Sequence, residues 1–231
     1  MSTIPGLSAP LHPSFTAPSP PSSTPPEPSP TASTISALNM QVHIEGGYFV
    51  ETDRDPLRVP NPFQRSPPQA PAPTQPTAEG GDDDDDATRS ASTSIFYLLT
   101  PARPQGAFHR NKGRTVHTLH WGRGRYVLLH ADESGEGGEG KEKVRVETFV
   151  VGKDLSKGER LQWVVEGGKY KASFLLEDEE GVEGSEGGLL ISETVVPGFE
   201  YKDHDFLRKE RLEEFVTPEQ AEEMAWLVRR D

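Results

Sequence analysis

Four of the seven histidines fall in one short stretch, His109 to His130, which reads HRNKGRTVHTLHWGRGRYVLLH. Imidazole changes charge nearer to neutral pH than any other side chain and is the commonest metal ligand, so the stretch offers proton transfer or metal binding. Its histidines alternate with β-branched and apolar residues, the pattern of a strand whose successive side chains face opposite ways. On that alternation Thr118 and His120 share one face, while His117 points away with Leu119. A mononuclear metal site draws three or four His or carboxylate ligands to one point. General acid-base chemistry needs no metal, and for it the expected groups are His109 or His120 as base and Tyr126 or Tyr170 as proton donor.

These side chains need a scaffold. Short β-prone runs follow one another from Ser94 to Thr100, Thr115 to Leu119, Arg125 to His130, Val144 to Val151, Leu161 to Val165, Lys171 to Leu176 and Leu189 to Val195, separated by glycine- and proline-rich turns. Many short strands without helical patterns between them predict an all-β sandwich or barrel. One helix is marked near the end: Thr217 can cap it, Pro218 suits its first position, and Gln220 completes a capping box. Ala221, Met224, Ala225 and Val228 then recur at helical spacing, an apolar stripe for packing on the barrel or a partner.

The chain of 231 residues contains 22 prolines, 22 glycines and 32% hydrophobic residues, enough for about one core. Residues 1–33, rich in Pro, Ser and Thr, are expected to be a disordered tail. Residues 34–231 then form a single domain, interrupted by a disordered insertion at about 56–88. Cysteine is absent, so thiolate chemistry and disulfides are excluded. No Lys or Arg precedes Arg54, and no apolar run approaches the roughly 20 residues of a membrane span, so a cytoplasmic protein without membrane contact is expected. Of the 37 acidic residues behind the net charge of −13, 17 fall in three windows, Glu79–Asp86, Asp132–Glu142 and Glu177–Glu186. The acidity therefore belongs to solvated loops, and the remainder lacks the clustered basic face that nucleic acid needs.

Several of these blocks resemble the cupin superfamily, the RmlC-like jelly rolls, and within it the type 5 cupins of largely unassigned function. HIEGGYFVETDRD (43–55) looks like the family's His-Pro-Glu-Gly-Gly-Tyr opening, and STSIFYLLT (92–100) like its next strand. FHRNKGRTVHTLHWG (108–122) resembles its histidine strand, GERLQWVVEGGKYKAS (158–173) its second turn, and ISETVVPGFEYKDHDF (191–206) its closing segment. The resemblance implies a double-stranded β-helix with a short C-terminal helix, a pocket inside it, and a homodimer that buries an edge strand. In the subgroup the histidine strand usually carries Ser-Asp-Glu, an apolar residue, then Trp-His-x-His. Here Thr115 and Thr118 stand where the glutamate and first histidine would be, which weakens a metal-dependent oxygenase: the resemblance leaves His109 and His120 as two pocket anchors, with Glu51 of the matched first strand as a conceivable third, so no metal is favoured, and if a divalent metal is bound these three are its expected ligands. The resembling motif also carries an arginine directly after the histidine matched by His109, which makes Arg110 the expected anion ligand, since guanidinium pairs bidentately with phosphate. Glu45, Glu51, Gln162 and Glu193 are further cavity candidates whose facing depends on register. The expected function is therefore binding of a small anionic metabolite, a sugar nucleotide or phosphate-like compound, by Arg110, Glu51 and Gln162 beside the histidines. The alternative is a metal-independent epimerase or isomerase on a similar substrate.

Overall fold

A computed structural model describes residues 1–15, 26–64, 87–133, 143–177 and 187–229. The acidic windows lie almost wholly outside them. In chain order the strands are β1 (Gln41–Val42), β2 (Tyr48–Arg54), β3 (Arg58–Pro60), β4 (Thr88–Ser90), β5 (Thr93–Leu99), β6 (Gln105–Arg110) and β7 (Arg114–Gly122). There follow β8 (Gly124–Leu129), β9 (Val146–Val151), β10 (Gln162–Val165), β11 (Tyr170–Leu175), β12 (Leu189–Val196) and β13 (Asp205–Phe206). They build a six-stranded sheet, β1-β2-β5-β12-β7-β10, and a five-stranded sheet, β13-β6-β11-β8-β9, while β3 pairs only with β4. Every pairing is antiparallel. The architecture is the all-β jelly roll expected from the succession of short runs.

Alternation assigns each strand two jobs. In the five-stranded sheet Tyr126, Leu128 and Leu175 join Tyr97, Leu119 and Ile191 of the opposite sheet in one interior cluster. The residues between them, Val127, Leu129, Ala172 and Phe174, face outward and are covered by Leu212, Val216, Met224 and Leu227. These covering residues come from helices α2 (Lys209–Phe215) and α3 (Pro218–Met224) and the turns after them. Both faces of β11 are thus buried. Each side chain so buried stabilises the fold by about 1.5–3 kcal/mol. The capping box of α3 forms as expected, Gln220 N donating to Thr217 Oγ1 at 3.3 Å and Thr217 N to Gln220 Oε1 at 3.2 Å. No described helix is long and apolar enough to cross a membrane.

Two expectations about disorder change where residues are described. The first 15 residues pack on the C-terminal helices, with Ile4 and Leu11 almost fully buried. The Glu223 carboxylate fastens them, accepting from Ser2 Oγ (2.7 Å), Thr3 N (2.8 Å), Thr3 Oγ1 (2.6 Å) and Leu11 N (2.9 Å). A short helix, α1 (Ser29–Ala37), also stands inside the supposed tail, and Glu27 just before it binds Tyr48 Oη and Thr100 Oγ1. Too few apolar residues mark these segments for periodicity to register, yet Ile4 and Leu11 are among the buried core. Residues 16–25 of the tail lie outside the described residues. The two ends of the 56–88 insertion meet in the β3–β4 ladder, and its middle, 65–86, is outside the described residues. Glu223→Ala should free the N-terminal segment while leaving the barrel folded. Limited proteolysis would then cut within residues 1–15 faster than in wild type, and an unchanged rate would contradict the anchoring role.

Candidate functional site

The glycine pair of HIEGG places the first functional side chain. Gly46 and Gly47 adopt φ of +114° and +68°, and a Cβ on Gly46 would run into the carbonyl oxygen of Gln105. Only glycine lets the turn lie so close to β6. Three bonds pin it there: Gly46 N to His43 O (3.2 Å), Ala107 N to Glu45 O (2.7 Å) and Tyr97 Oη to Gly46 O (2.9 Å). Glu45 is thereby held beside Ala107, two residues from His109 on β6.

His109 and His204 close on the same carboxylate. His204 precedes β13, whose Phe206 pairs with His109, and the two imidazoles stack 5.2 Å apart at 9°. His204 Nε2 lies 2.8 Å from Glu45 Oε1, and His109 Nε2 lies 3.2 Å from that same oxygen. The His109 Nδ1–H donates to Ala107 O at 2.9 Å, which fixes the tautomer with the lone pair on Nε2. That buried Nε2 makes no hydrogen bond among the described residues. A lone pair facing a carboxylate oxygen is repulsive unless a cation lies between them. Burial drives the His109 pKa down to about 3, against the pull of Glu45, so its imidazole is neutral. Glu45 is held at about 2: burial alone would raise it, but His109, His43, the hydrogen bond with His204 and the Lys171 charge outweigh burial. A neutral imidazole with its free nitrogen turned inward, a second imidazole and an ionised carboxylate have ligand atoms within 4.8 Å of one another. This donor set suits a divalent cation, and two imidazoles with one carboxylate is a common set for non-haem iron.

A second polar group lies in the same interior. Lys171, opposite His109 in the β11–β6 register, reaches across to the other sheet and donates to Glu193 Oε2 (2.6 Å) and His117 Nε2 (3.0 Å). All three are nearly or fully buried. Burial first, then Lys171, lowers the His117 pKa, while Glu193 stays well below the usual carboxylate range because Lys171 and His117 outweigh its desolvation. The His117 ring stacks on Trp163 at 5.1 Å, and Tyr126 meets both edge-on. Trp163 Nε1 is buried without an acceptor among the described residues.

The structure divides the residues singled out in the sequence. His109 and Tyr126 face the interior. His120 does not: it is exposed on the outer face, edge-on to Phe96 at 5.2 Å. The inward set of β7 is Thr115, His117 and Leu119, so the expected facing of His117 and His120 is reversed. Within-strand parity was right, but the apolar Leu119, which marks the inside, shares its face with His117. Glu51 is exposed and paired with Arg54 at 2.8 Å, so it cannot join His109. Gln162 is exposed and donates to Thr118 Oγ1 at 3.2 Å. Arg110 lies outside the barrel, bound to Asp205 at 3.0 Å and stacked over the Tyr170 ring at 4.8 Å. Tyr170 faces the C-terminal helices, and its hydroxyl donates to Asp205 at 2.6 Å. Lys171 and His204 are interior residues that sequence reasoning passed over, and His117 is one that it turned outward.

Comparison with known proteins bears on this site. Residues 32–207 match the family described as "Cupin superfamily (DUF985)". The uncharacterized protein YML079W of Saccharomyces cerevisiae is 43% identical over 187 residues, which cover 80% of each chain. Among solved structures, a hypothetical protein from Leishmania major superposes with a TM-score of 0.63 at 26% identity, covering 86% of this chain and 98% of its own. Protein SO0799 from Shewanella oneidensis gives 0.59 at 22% identity, covering 86% and 97%, a likeness of fold alone.

Proposed function

Since the chain belongs to the cupin superfamily family DUF985, we propose that it binds a small anionic metabolite inside the barrel, beside a divalent metal held by Glu45, His109 and His204. The observation that carries this reading is the orphaned His109 Nε2, its tautomer fixed by Ala107 and its lone pair turned toward Glu45 and His204. A divalent cation there would supply a Lewis acid for a ligand oxygen. The chain's own part is to hold three donors in a buried setting, to keep His109 neutral and to wall the interior with Tyr126, Phe149 and Trp163. His204 Nε2 donates to Glu45, so cation uptake at that nitrogen would need the imidazole to carry its proton on Nδ1 instead. The metal-independent epimerase reading draws on His109 or His120 as base and Tyr126 or Tyr170 as donor; His120 and Tyr170 stand away from the interior, which leaves it only the pair His109 and Tyr126.

Equilibrium dialysis of chelator-treated protein against Mn(II) or Zn(II) tests the reading. Wild type should take up one equivalent, with His204→Ala and Glu45→Gln weakening uptake at least 100-fold. His120→Ala and Glu51→Gln should bind as wild type does. Equal loss in all four variants, or no uptake by wild type, would sink the proposal.

A homodimer is a second element of this proposal. It draws support from the middle of the outer face of the six-stranded sheet, where Phe96, Val116, Thr118, Gln162, Val164 and Thr194 form an uncharged patch. Val164 is 38% exposed. Val164→Arg should convert a dimer to monomer in sedimentation velocity, and a wild-type protein that is monomeric at micromolar concentration would refute the dimer.

A further inference from the structure

The interior cluster is made by the strands of the two sheets, with one exception. Its buried members, and Phe49 and Ile95 packed on them, belong to β2, β5 or the strands β7 to β12. Phe15, also partly buried against this cluster, comes from the N-terminal segment instead. A side chain that reaches the cluster without belonging to either sheet enters from outside, where the sheets leave the cluster open. We propose that residues 1–15 are a strap that closes the barrel. Glu223 clasps the strap, the strap seats Phe15 on the interior cluster, and release of the clasp opens a way to Trp163 and His117. The strap goes beyond the metal and ligand reading above and does not depend on it.

The clasp acts on both ends of a loop at once. Ser2 and Thr3 at one end and Leu11 at the other donate to the same Glu223 carboxylate, so residues 2–11 form a compact loop closed on one side chain. Gln220 adds one bond, its Nε2 donating to Thr3 O at 3.3 Å. Ile4 and Leu11 are buried in the outer cluster shared with α2 and α3, and Leu7 packs against it. A segment held by one carboxylate, one further bond and a few apolar contacts opens before the sheets do.

Chain length carries the effect inward. Phe15 follows Leu11 by four residues, about 14 Å of chain at full extension. While Glu223 anchors Leu11, Phe15 is confined to that radius, and opening the clasp removes the limit. The cluster that Phe15 covers is also the wall of the interior polar group: Trp163 stacks on His117 at 5.1 Å, and Tyr126 meets that imidazole edge-on. His117 is 0% and Trp163 4% exposed.

Charge offers a second way to open the clasp. Thr3 is exposed, its hydroxyl donates to Glu223, and Glu219 and Glu222 stand on the same helix. A carboxylate at position 3 would replace that donor by like-charge repulsion while leaving Ile4, Leu7 and Leu11 unchanged.

Diethyl pyrocarbonate labelling of chelator-treated protein, read at each histidine by mass spectrometry, tests the strap. In wild type the exposed His120 should be labelled and His117 protected. Phe15→Ala removes the plug alone, while Glu223→Ala and Thr3→Glu open the clasp. Each should raise the labelling rate of His117 at least tenfold, as a shift in a local opening equilibrium does. His130, 4% exposed and held in a separate network with Glu147 and Lys169, should stay protected in all of them, and His120 should react as in wild type. His117 labelled in wild type as fast as His120, or labelled no faster in Phe15→Ala or in both clasp variants, would overturn the strap. Equal gains at His117 and His130 would overturn it too, because the whole barrel would then have loosened.

Discussion

Lys171→Met should lower the unfolding free energy by about 3–5 kcal/mol, the usual consequence of removing one partner from a buried ion pair. Lys171 joins the two sheets through Glu193 and His117, and both partners are buried. Removal of the ammonium leaves Glu193 ionised in the interior or forces it to take up a proton, and either outcome costs stability. The cost belongs to the orphaned charge more than to the lost contact, because desolvation has already consumed most of what the pair gains. Adding Glu193→Gln to Lys171→Met should therefore recover most of the loss. Urea unfolding of wild type, single variant and double variant measures this. A single variant within 1 kcal/mol of wild type, or a double variant as unstable as the single, would show that no buried charge is orphaned when the ammonium is removed.

Acidification should destabilise the metal-free protein from about pH 6.5 downward, and His117 is one cause. Burial and the adjacent Lys171 depress its pKa in the fold, while the unfolded chain leaves it near the usual 6.5. Between those two values the unfolded state binds a proton that the folded state refuses. Stability is thus fully present above pH 6.5 and falls as pH drops, by up to about 1.4 kcal/mol per pH unit for each such group. Glu193 adds to the fall at lower pH, because its depressed folded pKa makes its contribution present above about 4.5 and lost below. His117→Gln should flatten the upper part of the curve, between pH 6.5 and 5. A variant whose stability falls as steeply as wild type there would remove His117 from the explanation.

Much of the fold was legible because alternation and turn chemistry are local. The seven runs named from the sequence all became strands, with ends displaced by at most three residues, and Thr217-Pro218-Glu219-Gln220 specified the start of α3 correctly. The helix Lys209–Phe215 and the docked N-terminal segment were missed because few apolar residues mark them, Leu212 and Phe215 in the one and Ile4, Leu7 and Leu11 in the other, and their burial is decided by the barrel they cover. The site was less legible for a different reason. Parity assigns residues to faces but does not say which face is inside, and the family's usual ligand positions suggested His120. Leu119 carried the opposite signal, as did Glu193 lying in phase with Ile191 and Val195. Glu45 was recognisable from HIEGG, where two glycines in left-handed backbone announce a close approach. His204 follows no periodic pattern: it reaches Glu45 only because β13 adds to the edge of β6 some 95 residues downstream of it in the chain.

X-ray absorption of the zinc-loaded protein tests most directly whether the interior is a metal-bearing chamber. The expected spectrum has a first shell of nitrogen and oxygen at about 2.0–2.2 Å, with the outer-shell scattering of two imidazoles that falls to one in His204→Ala. A shell of oxygen without imidazole scattering, or a spectrum unchanged by His204→Ala, would place the zinc elsewhere and contradict the site built on Glu45, His109 and His204.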